Sequence, residues 1–213
     1  MVIYSSVLAL PMKIPDIYPI LLAAGPSPRI ELRSVTVTFG GKTALEIAVG
    51  NCAGLVEPII VLGYHADKLR KFAPRNSRIV LNRGWQAGQL SSLLAALRRV
   101  PRSAAFMLYP VDNVYLTPAI IRRLVRAFAK KKKGQEILMP RFQGRAGHPV
   151  IFSAETREEL RRAPTARDVV YRDPRRAFFL PVRTPAIWRD YEPSKPEPKR
   201  QQKIQDQGEK KRT

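Results

Sequence analysis

At 213 residues, with hydrophobic residues at 45% and charged residues at 26%, the chain has the composition of one globular domain with a substantial core; general disorder, a collagen-like fibre and a bundle of membrane spans are excluded. Cys52 is the only cysteine, which excludes an intrachain disulfide and a cysteine-rich zinc site and fits a reducing compartment, the cytoplasm. A formal net charge of +21 favours anionic ligands, but the charge is spread along the chain and few aromatics lie among the basic residues, so a nucleic-acid partner is disfavoured.

Residues 1–17 read as an N-terminal extension. The apolar run 2–11 is too short to span a bilayer and has no basic segment before it, and Met12 offers an alternative start. Apolar runs bounded by breakers predict strands at 18–24, 58–62, 78–81, 105–109, 136–139 and 177–182. Helical spacing falls between them, at 42–52, at 89–99, where Leu90, Leu93, Leu94 and Leu97 share a face, and at 117–132. Thr117-Pro118 reads as an N-cap followed by proline at the first helical position, and Lys130 to Lys133 place cations at the negative end of that helix. Alternating strands and helices predict a three-layer α/β/α domain over 18–193 with a mostly parallel, Rossmann-like sheet, whose ligands bind beyond the carboxyl ends of the strands. Residues 194–213 carry seven basic and three acidic side chains and one aliphatic residue, Ile204, which predicts a disordered basic tail.

The first strand runs into Leu22-Ala23-Ala24-Gly25-Pro26-Ser27-Pro28-Arg29. Small residues there let backbone N–H groups approach a triphosphate, and Arg29 can neutralise it; an ordinary strand-to-loop turn satisfies the same spacing. Asp112 stands in a loop between a strand and the Thr117 cap, where a carboxylate can hold a hard cation that bridges phosphates, or can cap a turn. Of the two histidines, His65 reads as a residue near a helix start, and His148 is not assigned as a base.

Six segments carry a family resemblance. Residues 22–29 resemble LAAGxSxRxG, the signature loop of MobA-like nucleotidyltransferases, and Gly40-Gly41-Lys42-Thr43-Ala44-Leu45-Glu46 resembles the family's GGKTLLE. Residues 82–93, from Asn82 through Trp85 and Gly88 to Ser91, Ser92 and Leu93, are similar to Asn-x-x-Trp-x-x-Gly-Met-x-Ser-Ser-Leu of the molybdenum cofactor cytidylyltransferase branch. Residues 109–118 are similar to PVDHPLVTP, 144–150 to GRRGHPV, and 182–193 to the late VDDPAILLDIDTP. The resemblance implies a nucleotide-diphospho-sugar transferase type of fold. It further implies transfer of a nucleotidyl group, CMP from CTP, to a phosphorylated acceptor such as molybdopterin, with release of pyrophosphate and a molybdoenzyme as recipient of the product.

Carried over residue by residue, Leu22, Ala23, Ala24, Gly25, Ser27 and Arg29 would hold the triphosphate, and Gly88, Ser91 and Ser92 the nucleoside. Arg145, Gly147 and His148 would hold the acceptor, and Asp112 and Glu192 would hold Mg2+, with Arg29 and Asp112 in the catalytic roles and Asp190 as a reserve carboxylate. The pattern departs at Glu31, where the family has glycine, and at Ser34, where it has lysine; Arg33 is a neighbouring cation. A carboxylate in a phosphate loop repels its ligand by on the order of 1–4 kcal/mol at about 4 Å. Two other readings therefore stay open: a catalytically weakened nucleotide-binding homologue, and a sugar-phosphate nucleotidyltransferase sharing the fold.

Overall fold

The computed structural model describes residues 16–25, 41–75 and 77–188. Among the described residues, eight strands form one sheet: β1 (Ile17–Ala23), β2 (Ile59–Leu62), β3 (Arg78–Leu81), β4 (Ala105–Pro110), β5 (Ile137–Phe142), β6 (Arg145–Ala146), β7 (Val150–Phe152) and β8 (Ala177–Pro181). Their order is β3-β2-β1-β4-β7-β5-β6, with β8 also paired to β5. Strands β1 to β4 are mutually parallel, with Leu22 opposite Pro110 and Ala23 opposite Leu62. Strand β7 runs antiparallel between β4 and β5, so β5 and β8 point the same way as β1.

The two antiparallel strands were not anticipated from the sequence. A tight turn creates β6: Gln143 (φ 47) and Gly144 (φ 78) are both left-handed, the conformation that joins twisted hairpin strands. At two and three residues, β6 and β7 are too short to show a period.

Among the described residues, six helices cover the sheet: α1 (Ala44–Asn51), α2 (Ala66–Leu69), α3 (Gln89–Leu97), α4 (Pro118–Ala129), α5 (Arg157–Arg162) and α6 (Ala166–Arg172). Alternation along the strands sends successive side chains to opposite faces. Leu21, Met107, Tyr109 and Ile151 pack with Leu45 of α1 and Ile121 and Leu124 of α4. Ile20, Leu22, Phe106 and Leu108 pack on the other face with Leu93 of α3, Leu160 of α5 and Val169 of α6. The expected three layers are present.

Helix starts follow local chemistry. Thr43 and Glu46, both inside the GGKTLLE-like segment, form a capping box: the Thr43 backbone N–H donates to Glu46 Oε2 (2.7 Å), and the Glu46 N–H donates to Thr43 Oγ1 (3.2 Å). The Thr43 backbone N–H, together with the Thr43 hydroxyl, which also donates to Glu46 Oε2 (2.9 Å), holds the Glu46 carboxyl below its ordinary pKa. At α4, Thr117 has the extended backbone of an N-cap and Pro118 begins the helix, but the Thr117 side chain makes no capping bond. His65 precedes α2, likewise without a side-chain cap.

The C-terminal end of α3 is closed by an arginine from α5. Arg157 is 5% exposed, and its guanidinium donates to the carbonyls of Leu97 (3.2 Å), Val100 (3.2 Å) and Pro101 (2.7 Å). A buried cation on carbonyls at a helix C-terminus satisfies groups that would otherwise be stranded away from water. Replacing Arg157 by Met removes the donors and leaves the carbonyls, and is expected to lower unfolding free energy by about 2–3 kcal/mol. Urea denaturation of the two proteins measures this difference.

Candidate functional site

Because β1 to β5 and β8 share a direction, their carboxyl ends meet along one edge of the sheet. The segments singled out by motif leave from that edge. The first is the turn after β1. Ala24 is buried, Gly25 is exposed, and the Ala24 carbonyl accepts the backbone N–H of Tyr64 (2.8 Å) from the turn after β2. Gly63 permits this approach: a Cβ there would overlap the Ala24 carbonyl and lie 2.9 Å from Trp85 Cβ. Ser27, Arg29, Glu31, Arg33 and Ser34 lie outside the described residues.

The second segment links β3 to α3 through Asn82, which is 7% exposed. Its Nδ2 donates to Ser91 Oγ (2.9 Å) and Ser92 Oγ (3.0 Å), while its Oδ1 accepts the N–H of Gly84 (3.0 Å). Ser91 Oγ also contacts the Gly88 carbonyl (2.7 Å), and Gly88 takes a left-handed φ of 88° at the start of α3. The hydroxyls of Ser91 and Ser92 thus tie the strand end to the helix N-terminus. Exposed at this point are Gly88 and Gln89. Asn82 was quoted within the motif but given no role; its polar side chain directly after a buried strand was the available signal.

Asp112 leaves β4 on a loop gripped from below. Val111, Val114 and Leu116 are buried, the Val111 N–H donates to the Leu22 carbonyl (3.2 Å), and the Val114 N–H donates to the Asp112 carbonyl (2.8 Å). Asn51 of α1 adds a polar anchor, donating to Tyr109 Oη (2.9 Å) and to the Leu116 carbonyl (3.0 Å). Burial raises the Tyr109 phenol above its ordinary pKa, with the nearby Asp112 carboxylate a smaller cause in the same direction. Asp112 itself is half-buried at the sheet edge, with Oδ1 enclosed. Among the described residues no group of three or more His, Cys, Asp or Glu could hold a metal ion. Glu192 and Asp190 lie outside the described residues.

The 144–150 segment, expected from the family resemblance to face the acceptor, sits across the same edge. Between β6 and β7 the Gly147 N–H donates to the Pro140 carbonyl (3.0 Å), the His148 N–H donates to the Ile187 carbonyl (2.6 Å), and a cis peptide bond joins His148 to Pro149. Arg145 is exposed, with its guanidinium 4.7 Å from the Trp188 ring centroid. These residues help to line a cavity of about 400 Å³ that also includes Gln89 of α3 and Arg167 and Tyr171 of α6. Arg167 and Tyr171 were not anticipated. Helix α6 has only seven residues, although its Thr165–Asp168 capping box is legible.

His148 is half-buried, but its Nδ1 is enclosed, and burial pushes the imidazole down to about 4 from 6.5. It is neutral near pH 7. Between pH 6.5 and 4 the unfolded chain binds a proton that the fold excludes. Stability from this residue is therefore complete above about pH 6.5 and declines as the pH falls towards 4, by up to about 3 kcal/mol. Urea midpoints for the native protein and His148→Gln, compared at about pH 7 and pH 4.5, are expected to diverge because the variant loses this dependence. Cys52 contributes no chemistry: burial raises its thiol to about 12.

Comparison with known proteins agrees with this geometry. The model of the MobA-like NTP transferase domain matches residues 19–178. Curated protein sequences gave no significant match. Among solved structures, Rv0371c from Mycobacterium tuberculosis H37Rv is 27% identical with a TM-score of 0.68, over 81% of this chain and 91% of that one. The structure of that protein in complex with manganese is 26% identical, with a TM-score of 0.65, over 79% of this chain and 89% of that chain. Molybdopterin-guanine dinucleotide biosynthesis protein A from Archaeoglobus fulgidus shares the fold at 16% identity, with a TM-score of 0.58, over 78% of this chain and 83% of that one. No helix among the described residues is long and apolar enough to cross a membrane. Motif, sheet edge and domain match agree: the chain belongs to the MobA-like NTP transferase family of nucleotidyltransferases.

Proposed function

We propose that this chain transfers CMP from CTP to a phosphorylated acceptor, such as the molybdopterin form of the molybdenum cofactor, and releases pyrophosphate. The observation that carries the reading is the convergence of Ala24-Gly25, Gly88, Asp112 and the Arg145–His148 segment on one sheet edge. The choice of CTP rests on the LAAG loop and on the 82–93 segment with its Asn82 network.

In the reaction an oxygen of the acceptor phosphate attacks the α-phosphorus, and the bond from that phosphorus to the bridging oxygen breaks. The electron pair leaves with pyrophosphate. The attacking phosphate is already anionic, so no protein base is required. The work left to the protein is positioning and charge stabilisation. Backbone at Ala24 and Gly25 approaches the triphosphate, Arg29 neutralises it, the start of α3 receives the nucleoside, and Arg145 orients the acceptor. Mg2+ held by Asp112, with Glu192 as a second ligand, would neutralise charge on the phosphoryl oxygens.

Glu31 and Ser34 favour a second reading, a homologue that binds nucleotide but turns over slowly. Isothermal titration with CTP, GTP and ATP in the presence of Mg2+, followed by a pyrophosphate-release assay with molybdenum cofactor, separates the two. Binding that prefers CTP together with release supports cytidylyl transfer; stoichiometric CTP binding without release supports the second reading. Absence of binding to any triphosphate overturns both.

A further inference from the structure

Helix α1 ends on a polar residue in an apolar setting. Leu45 and Ala48 of α1, with Cys52 just beyond it, belong to the core cluster that holds Leu21, Met107 and Tyr109 of the sheet, and Asn51 is buried among them at 5% exposure. An amide costs free energy to bury unless it is hydrogen-bonded, whereas a leucine of similar size carries no such cost.

The Asn51 amide brackets a single loop. Its Nδ2 donates to Tyr109 Oη (2.9 Å), near the end of β4, and to the carbonyl of Leu116 (3.0 Å), the last residue before the Thr117 cap. These partners lie 58 and 65 residues from Asn51 in the chain, so neither bond is local helix chemistry. They stand at the two ends of the segment that carries Asp112. Both protons leave one planar nitrogen in fixed directions, so the pair of bonds sets the separation of the two ends as well as their depth. Backbone bonds hold the halves of the segment unequally. The Val111 N–H reaches β1 at the Leu22 carbonyl, whereas the N–H groups of Val114 and Leu116 bond within the segment, to the carbonyls of Asp112 and Asn113. The bond from Asn51 to the Leu116 carbonyl ties this second half to α1.

We propose that Asn51 is a positioning residue for nucleotidyl transfer: by holding Tyr109 and Leu116 with one amide, it fixes the segment between them and, with it, the place of the Asp112 carboxylate on the sheet edge. The inference rests on the nucleotidyltransferase reading above and deepens it at the Asp112 end of the site.

The test uses the full chain and calorimetric CTP titrations with Mg2+ and with EDTA. Asn51→Leu removes the amide and strands the Tyr109 hydroxyl and the Leu116 carbonyl. Its metal-dependent gain in CTP affinity is expected to fall by at least about tenfold, with the metal-free affinity held within about threefold. Hydrogen exchange at the Val114 amide is expected to quicken. Tyr109→Phe, which frees one end of the segment and leaves Leu116 held, is expected to fall between the two proteins. A lower melting temperature for Asn51→Leu follows from the stranded groups whatever the role of Asn51. Combining the two substitutions supplies the control. The double variant no longer strands the hydroxyl, so part of the melting temperature returns, while the Leu116 carbonyl stays unheld and the metal-dependent gain stays low. Recovery of that gain in step with the melting temperature overturns the proposal. So does an unchanged gain in Asn51→Leu, or in Tyr109→Phe should Asn51→Leu not fold. The unsubstituted protein keeps the two failures apart: CTP binding that Mg2+ strengthens, with variants that match it, sinks the role of Asn51 alone, whereas absence of CTP binding sinks the underlying reading as well.

Discussion

Asp112→Asn is expected to abolish metal-dependent turnover while leaving the fold intact. The substitution keeps the shape of the side chain and removes its charge, so it tests the carboxylate as a donor to a hard cation rather than as a packing element. Charge neutralisation by such an ion contributes several kcal/mol to the transition state, so pyrophosphate release should fall by at least about 100-fold, on the order of 3 kcal/mol. The loop keeps its anchors in the variant: Val111, Val114 and Leu116 remain buried, and Asn51 still donates to the Leu116 carbonyl. The melting temperature should therefore move by no more than about 4 °C. Steady-state pyrophosphate release as a function of Mg2+ concentration, with calorimetric melting alongside, checks both halves. Turnover within about threefold of the unsubstituted protein would remove Asp112 from the site and return it to the role of a turn cap.

Gly147→Ala is expected to damage the acceptor side and the fold together. A Cβ at Gly147 would overlap the Ile187 backbone and lie 2.9 Å from Ile187 Cγ1. Ile187 is fully buried and its carbonyl already accepts the His148 N–H, so it has little room to retreat. The β6–β7 segment must move instead, stretching the 3.0 Å bond from the Gly147 N–H to the Pro140 carbonyl and shifting Arg145 relative to Trp188. Overpacking of this kind typically costs about 1–3 kcal/mol, and the upper half of that range is expected here because the clash is with backbone. Under the role proposed for Arg145, its displacement by about 1 Å is expected to lower turnover on the order of 100-fold. Urea denaturation reads the first effect. Acceptor-dependent kcat/KM reads the second, and nucleotide affinity, proposed to reside at the other end of the edge, is expected to change least. A variant with unchanged stability would show that the 147–187 contact is slack.

The legible parts of this protein were those written in local pattern. Helices α3 and α4 each carry a 3.6-residue apolar stripe, and α1 and α4 announce their starts, at Thr43 and at Thr117-Pro118. Strands β1, β2 and β4 are buried on both faces and read as continuous apolar runs. By contrast, β6 and β7 are too short for a period, and α5 and α6, at six and seven residues, present only Leu160, Val169 and Val170 as fully buried apolar positions. Their placement was therefore not readable without the sheet.

For the candidate site, sequence alone determined which residue types are suited to which chemistry: small residues at Ala23 to Gly25 for close backbone approach, a carboxylate at Asp112 after a buried strand, and a cation at Arg145. What each group faces was decided by tertiary structure. Asn82 turns Ser91 and Ser92 inwards, Gly63 lets the β1 and β2 turns touch, and the insertion of antiparallel β7 between β4 and β5 brings Arg145 opposite Arg167 and Tyr171. The physical reason is that caps and periodicities are interactions over three or four residues, whereas strand order and register arise from long-range pairing and packing, about which local sequence carries little information.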